Sequence, residues 1–369
     1  MKKQGLFPRQ AAALVALFLL GNCLIFGVNT TSGRDTWIAV LIALGVSIPV
    51  LCLYARLLTL HPHQSFFEMV EALLGRGLGA AVTGLLVAFA VHSAAFLIRS
   101  VGAFVFVNIL PEPPHMLFLG LFVAVAVVLL RGGAETAGKW AVIGISVAAL
   151  LVAVSVISSL REMDFQAFLP VLRRPMGDVA RSSAQIAAFP MLQSVLLLPF
   201  LARQGEGFKP RRALLCGLLA AAAILLCVFA HALTMLGERA LMDTVFPSYA
   251  ALKLVRISSF LSRLEKVLSG YILLAALTHL VVCLNAAARG LERLLRVSGT
   301  NGLIGPVAAS ALALSWFTAG NVADMTRFQA VFPYTAALFE LVIPLTLWLC
   351  AEARRHKGRQ AAAAAGAGE

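Results

Sequence analysis

Seven polar side chains interrupt long apolar stretches of this 369-residue sequence, and they are the groups with chemistry to offer: His92, Arg99, Gln193, His231, His279, Asn285 and Glu340. A charge at the centre of a bilayer costs about 2.5–3.5 kcal/mol on insertion scales, so such groups are expected to face protein or a cavity. Gln193 and Asn285 are the better ligand candidates. A neutral amide can hold an ammonium or a carboxylate without adding a second desolvated charge. Arg99 and Glu340 read as structural groups that cap a helix or pair with a loop, since a long arginine can reach an interface. His231 stands towards the end of its stretch and fits an interfacial position. The chemistry indicated is binding. No phosphate-cradling glycine loop, nucleophile elbow or HExxH motif is present, so an enzyme is not expected. His61-Pro62-His63 has only the outward look of a metal pair, because proline forces an extended geometry and no carboxylate or thiolate partner lies close by. The six cysteines are scattered without CxxC spacing. Neither a disulfide framework nor a metal or cofactor site is expected.

The elements that must position these groups are apolar runs of roughly bilayer length. Ten fill most of the chain: residues 11–26, 37–55, 78–107, 116–130, 140–160, 184–201, 213–236, 267–288, 303–319 and 332–350. They lack the alternation of a barrel strand, and only helices or closed barrels satisfy their own backbone in lipid. The sequence therefore predicts an all-α polytopic membrane protein, one transmembrane domain over residues 1–369. A hydrophobic fraction of 60%, a charged fraction of 13% and a mean hydropathy of +0.90 leave no room for a second soluble domain.

The net charge of +13 is a topology signal. One side carries Lys2, Lys3 and Arg9; Arg56 and Arg76; Arg131 and Lys139; Arg203, Lys209, Arg211 and Arg212; Arg289, Arg293 and Arg296; and Arg354, Arg355, Lys357 and Arg359. The short loops facing the other way carry only Arg34 and Arg327. The positive-inside rule then puts both termini in the cytoplasm, and the basic surface suits anionic membrane lipid, not nucleic acid. Lys2-Lys3 before an apolar run has the look of a signal peptide, but no clear small-x-small cleavage site follows, and the run is read as a retained first span.

Ten spans divide into two sets of five, residues 11–160 and 184–350, that run in opposite directions. That is the arithmetic of a 5+5 inverted repeat, whose ligand sits near the midplane where the first helix of each repeat is interrupted. Gly21-Asn22-Cys23 with Gly27 mark such an interruption in the first span, and Phe189-Pro190 with Pro199 in the sixth. Proline removes a donor and clashes with the preceding turn, so Pro190 frees backbone groups in mid-membrane. Residues 61–77 and 237–266 occupy corresponding places in the two halves and suggest surface-lying segments, the latter with short amphipathic helices around Tyr249, Leu252, Leu254, Val255 and Ile257. The loop 161–183 mixes both charges and offers a docking surface. The basic, Ala-rich tail over residues 351–369 is expected to be cytoplasmic and disordered at its alanine- and glycine-rich end.

Several short motifs resemble those of the B-subunits of spore germinant receptors, the GerB-type spore germination permeases. Phe7-Pro8-Arg9-Gln10 resembles the family's motif at the first span, and Asp35-Thr36-Trp37 its Asp-x-Trp opening of the second. Leu110-Pro111-Glu112-Pro113 and Gly132 with Glu135 resemble its two following loops. Phe189-Pro190 and Pro199-Phe200 resemble its sixth-span breaks. Phe246-Pro247 and then Phe260-Leu261-Ser262-Arg263-Leu264-Glu265 resemble the segment before span eight. The matches keep their order over roughly residues 7–350, which makes the set specific where each alone is weak. The resemblance implies a LeuT-like fold of the amino acid–polyamine–organocation superfamily, in the inner membrane of the spore. It implies a nutrient ligand, often an amino acid, and action with an A-subunit and a lipoprotein C-subunit. Members usually carry an acidic residue where Gln193 stands, an aromatic near Asn285, and a lysine where His279 stands.

The expected pocket is formed by Gly21, Asn22 and Cys23 on span one and Phe189, Pro190 and Gln193 on span six. His92 and Phe96 from span three, and Val281 and Asn285 from span eight, close it. Two functions share this pocket. A sensor uses ligand preference for one conformation to bias partner subunits. A secondary active transporter of amino acids or polyamines keeps ion or proton ligands near the breaks. The neutral Gln193 favours the sensor.

Overall fold

Helix α1 (Pro8–Phe26) begins on Pro8, whose fixed φ suits the first helical position, while Gln10 Oε1 accepts the Phe7 N–H at 3.1 Å. The Phe-Pro-x-Gln pattern is thus a helix start. The computed structural model describes residues 6–109, 115–202, 204, 207–254, 264–318 and 322–366; for Asn22 and residues 264–269, 322–323, 326, 329–330 and 357–366 it describes the main chain alone. The motif residues Leu110–Pro113 and the segment 255–263, with Val255, Ile257 and most of the Phe-Leu-Ser-Arg motif, lie outside the described residues.

All regular structure among the described residues is helical. After α1 come α2 (Thr36–Leu60), α3 (Phe66–Leu74), α4 (Arg76–Asn108), α5 (His115–Arg131) and α6 (Gly133–Ser159). The second half holds α7 (Met176–Ile186), α8 (Leu198–Leu201), α9 (Pro210–Asp243), α10 (Pro247–Lys253), α11 (Leu264–Leu295), α12 (Asn301–Thr318), α13 (Val322–Ala337) and α14 (Ile343–Gly366). Seven helical stretches are long and apolar enough to cross a bilayer, and Pro8–Gly21 and His115–Arg131 are shorter apolar helices. The ten-span reading is therefore not reached by length alone. The 17 residues of α5 rise about 25 Å, less than the ~30 Å of a hydrocarbon core.

Helix α1 is the axis of the bundle. Every residue from Leu14 to Leu20 is essentially inaccessible. Glycines on its neighbours let the backbones close in. A Cβ on Gly144 of α6 would stand 2.5 Å from Leu17, and one on Gly217 of α9 would stand 2.5 Å from Val15 and 2.7 Å from the Ala12 carbonyl. On α1 itself, a Cβ on Gly21 would lie 2.6 Å from His279 Cβ and 2.8 Å from the Ala275 carbonyl of α11. The first span is consequently unbroken through Gly21-Asn22-Cys23 and ends only at Gly27, where φ is +77°. The interruption expected there is absent because Gly21 serves close helix packing, not unwinding.

The sixth span does break. α7 gives way to a wide π-type turn over Ala187–Met191, in which Phe189 is extended at φ −134°, ψ 110°, and then to tight 3-10 turns over Leu192–Leu197 before α8. The residue before a proline is pushed out of the helical region and the proline has no N–H to continue the ladder. The last span carries a second π turn, Leu338–Val342, between α13 and α14. Tyr54 of α2 joins the two irregular segments, its hydroxyl donating to the Leu192 carbonyl at 3.2 Å and to the Glu340 carbonyl.

Polar contacts tie the loops at both ends. At one end Asp35, fully buried, accepts the N–H groups of Leu172 (2.7 Å) and Arg174 (3.1 Å), and the Arg34 guanidinium clasps Glu238 at 2.6 Å. The Asp-x-Trp motif thus anchors the loop between the halves. At the basic end, Ser65 and Glu68 cap α3 reciprocally, Arg293 meets Glu71 at 2.6 Å, and Arg56 meets Glu352 at 2.8 Å. The final helix runs on to Gly366, through the alanine-rich stretch whose composition reads as disorder. Alanine's top helix propensity accounts for this.

Candidate ligand site at the broken sixth span

Phe189 leaves the helical path beside α4 and α13, and a cavity opens at that point. Its walls are His92, Ser93 and Phe96 of α4, Phe189 and Gln193 of the sixth span, and Phe328 and Phe332 of α13. Four of the ten residues expected at the ligand site, His92, Phe96, Phe189 and Gln193, meet here, and Pro190 is buried within the break.

Gln193 is 2% exposed, and its Oε1 has no hydrogen-bond partner among the described residues; the Ser93 hydroxyl has none either. Unpaired buried polar atoms cost about 1–3 kcal/mol each, so two on one small cavity require a reason. The other walls are aromatic. Phe328 lies 5.0 Å from Phe96, 5.2 Å from the His92 ring and 5.8 Å from Phe332, which in turn stands 5.6 Å from Phe189. The enclosed space is about 20 Å³, enough for a water but no more. The rings close the cavity, and a larger guest enters only if Phe328 or Phe332 swings aside.

The remaining expected residues lie elsewhere. Gly21 packs against His279, which stacks on Phe18 at 4.3 Å and hydrogen-bonds the Phe18 carbonyl through Nδ1 at 3.0 Å. The side chain of Asn22 lies outside the described residues. Cys23 is buried beside Val28 and Phe229, lining a separate small space. Val281 is fully buried in the core of α11. Asn285 faces a different cavity at the basic end, where its Oδ1 accepts from Arg289 Nε at 3.0 Å. His231 is buried and bonded to Ser159 at 3.0 Å.

Ser93, Phe328 and Phe332 were not singled out in the sequence. Ser93 adjoins His92 on the same turn, and Phe328 and Phe332 have the i, i+4 spacing of one helix face. The signal was hidden because Asp324 and Arg327 lower the hydropathy of α13 and shift the apparent start of the last span to Phe332. Glu340 reads from the sequence as a helix cap or a loop partner, and among the described residues its carboxyl is neither. It is 1% exposed in the second π turn, and neither carboxyl oxygen has a hydrogen-bond partner among the described residues.

The sequence profile described as spore germination protein matches residues 6–323, most of the chain. The chain belongs to the spore germination protein family. Spore germination protein KB of Bacillus subtilis (strain 168) is 22% identical over 367 residues, covering 97% of this chain and 98% of that protein. Among solved structures, the nucleobase-cation-symport-1 family transporter Mhp1, closed on bromovinylhydantoin, superposes with a TM-score of 0.70 at 12% identity, covering 91% of this chain and 76% of that one. MhsT in complex with L-phenylalanine gives a TM-score of 0.66 at 14% identity, covering 94% and 99%. At such identities these two establish the fold alone, and the fold is LeuT-like. For a spore germination permease, the broken sixth span on this scaffold is the notable site, since an interrupted helix there frees backbone polar groups that a ligand can use.

Proposed function

We propose that this spore germination permease is a nutrient-binding B-subunit of a germinant receptor and that an amino acid is its ligand, held in the cavity at the sixth-span break. The observation that carries the reading is a pair of acceptors without partners among the described residues, Gln193 Oε1 and the Ser93 hydroxyl, inside an aromatic enclosure. An ammonium group donates to both, backbone N–H groups at the start of the half-helix that follows Pro190 donate to the carboxylate, and the phenylalanine rings take an apolar side chain. The bound L-phenylalanine of MhsT, on the same fold, is in keeping with such a guest.

Binding requires the aromatic rings to part, so the ligand favours a more open state than the one with about 20 Å³ free. A ligand shifts an equilibrium only by its differential affinity, and this requirement supplies it. The A- and C-subunits read the shift. The basic end, with both termini, faces the cytoplasm by the positive-inside rule, and the membrane is the inner membrane of the spore. A second reading, a secondary transporter of amino acids or polyamines, is favoured by Glu340, a buried acid that could serve coupling. Against it, the cavity itself has no carboxylate among its described walls.

The test is thermal unfolding of the purified protein with each common amino acid. A ligand of the folded state at about 100 times its Kd adds about 2.7 kcal/mol of stability. Gln193→Leu, which keeps volume and removes the acceptor, should abolish the shift while leaving the unliganded protein as stable or more so. A wild-type response in that variant removes Gln193 from the site.

A further inference from the structure

Glu340 is an acid buried in mid-span, at the centre of the π turn over Leu338–Val342. Neither carboxyl oxygen is accessible, and neither has a hydrogen-bond partner among the described residues. The charged groups of its own span are far off. Asp324 and Arg327 of α13, and Glu352 and Arg354 of α14, stand twelve or more residues from it, about 18 Å or farther along the helices. Tyr334 of α13 is 75% exposed and points outward. From α2 the titratable neighbour is the Tyr54 phenol, while Arg56 is engaged by Glu352 at 2.8 Å. From α4, His92 lies against Phe328 on the wall of the broken-span cavity. The facing turns of the sixth span bring Gln193 and Ser194, which do not titrate.

Two routes tie this turn to the break in the sixth span. One is polar: the Tyr54 hydroxyl donates to the Glu340 carbonyl and to the Leu192 carbonyl, the latter at 3.2 Å and one residue before Gln193. The other is aromatic. Phe339, next to Glu340, stacks on Phe89 at 4.5 Å, Phe89 stacks on Phe332 at 6.2 Å, and Phe332 meets Phe189 at 5.6 Å. The ring that closes the broken-span cavity is thus linked to the main chain that carries the acid. On the sixth-span side the Ser194 hydroxyl is fully buried and has no hydrogen-bond partner among the described residues.

We propose that Glu340 is a proton-binding site whose occupancy is linked to the closed state of the sixth-span break. An ionised carboxylate with neither donors nor a counter-charge is far costlier to bury than the neutral acid, and a proton is a ligand that needs no cavity. The closed state therefore holds the neutral acid. On opening, water reaches the turn, the carboxyl O–H bond breaks and the proton passes to water. The carboxylate left behind accepts a hydrogen bond from Tyr54, whose O–H then leaves the Leu192 carbonyl and frees the turn beside Gln193. Acid favours the closed state and alkali the open one. This linkage involves no solute and no partner subunit, and it stands whether or not the amino-acid reading holds.

The experiment compares the full-length protein in neutral detergent, without any amino acid, with Glu340→Gln, which mimics the neutral acid at every pH. The infrared difference spectrum between the two at neutral pH should contain the C=O stretch of a protonated carboxylic acid. Amide hydrogen exchange is then followed over the break, Ala187–Leu197, from about pH 5 to about pH 9. Intrinsic exchange chemistry cancels in the ratio of wild type to variant. That ratio should rise with pH over the break, by at most about tenfold per pH unit for one linked proton, and stay within about twofold in α6. If Glu340→Gln does not fold, Glu340→Leu takes its place in both measurements. Carboxylate bands in place of the acid band, or a ratio over the break that is flat with pH, overturn the proposal.

Discussion

Replacing Gly21 by alanine separates a packing role from a ligand role at a position the sequence marks for both. A Cβ there would stand 2.6 Å from His279 Cβ and 2.8 Å from the Ala275 carbonyl oxygen. Ordinary carbon contacts are about 3.5–4.0 Å, so α1 and α11 must separate by about an ångström. Neither neighbouring atom can rotate away, because one is a Cβ and the other is main chain. Overpacking of this kind costs about 1–3 kcal/mol. The displacement also strains the His279–Phe18 hydrogen bond at 3.0 Å, worth about 0.5–1.5 kcal/mol. Alanine's helix propensity returns about 1 kcal/mol. The net loss expected is about 1–3 kcal/mol. Gly45 and Gly84, with nothing near their would-be Cβ atoms, supply controls that should gain up to about 1 kcal/mol. The assay is denaturant unfolding in mild detergent, followed by tryptophan fluorescence. His279→Ala should not rescue Gly21→Ala, because it keeps the clashing Cβ and leaves the Ala275 carbonyl in place. Gly21→Ala as benign as Gly84→Ala would refute the packing argument. Unchanged stability with lost amino-acid binding would return Gly21 to the ligand site.

Phe332→Ala removes a buried ring that closes the broken-span cavity; it should cost about 3–5 kcal/mol in unfolding measurements and, if an amino acid binds there, speed its association in stopped-flow fluorescence. Glu340→Leu replaces a buried carboxyl that has no hydrogen-bond partner among the described residues by an apolar group, and the variant should melt at or above the wild-type temperature. If germination in a complemented strain falls while stability rises, the carboxyl is retained for function. Asp35→Ala leaves the Leu172 and Arg174 N–H groups without their carboxylate, a loss of about 1.5–3 kcal/mol per charged bond. Limited proteolysis should then cut between Leu169 and Arg174 several times faster than in the wild type.

The all-helical membrane plan was legible because bilayer-length apolar runs are a property of the chain itself. The sixth-span break was legible for a local reason: Phe189-Pro190 cannot continue a helix whatever surrounds it. Gly21 has no such local meaning. Whether a glycine unwinds a helix or admits a neighbour depends on what lies opposite, here His279, 258 positions away in the chain. Asn285 illustrates a second limit. It lies six residues beyond His279, about 9 Å along α11, and lines the cavity at the basic end, not the one that holds Gln193. Phe328 and Phe332 were obscured by the charged neighbours that broke the hydropathy of α13.

Flux in proteoliposomes most directly tests the claim that the broken-span cavity senses an amino acid. The amino acid that stabilises the purified protein is supplied outside vesicles carrying an imposed proton or sodium gradient, with wild type and Gln193→Leu compared. Sensing predicts saturable binding that Gln193→Leu abolishes, with no accumulation above empty vesicles. Gradient-driven accumulation by the wild type would contradict the account and make this family member a transporter.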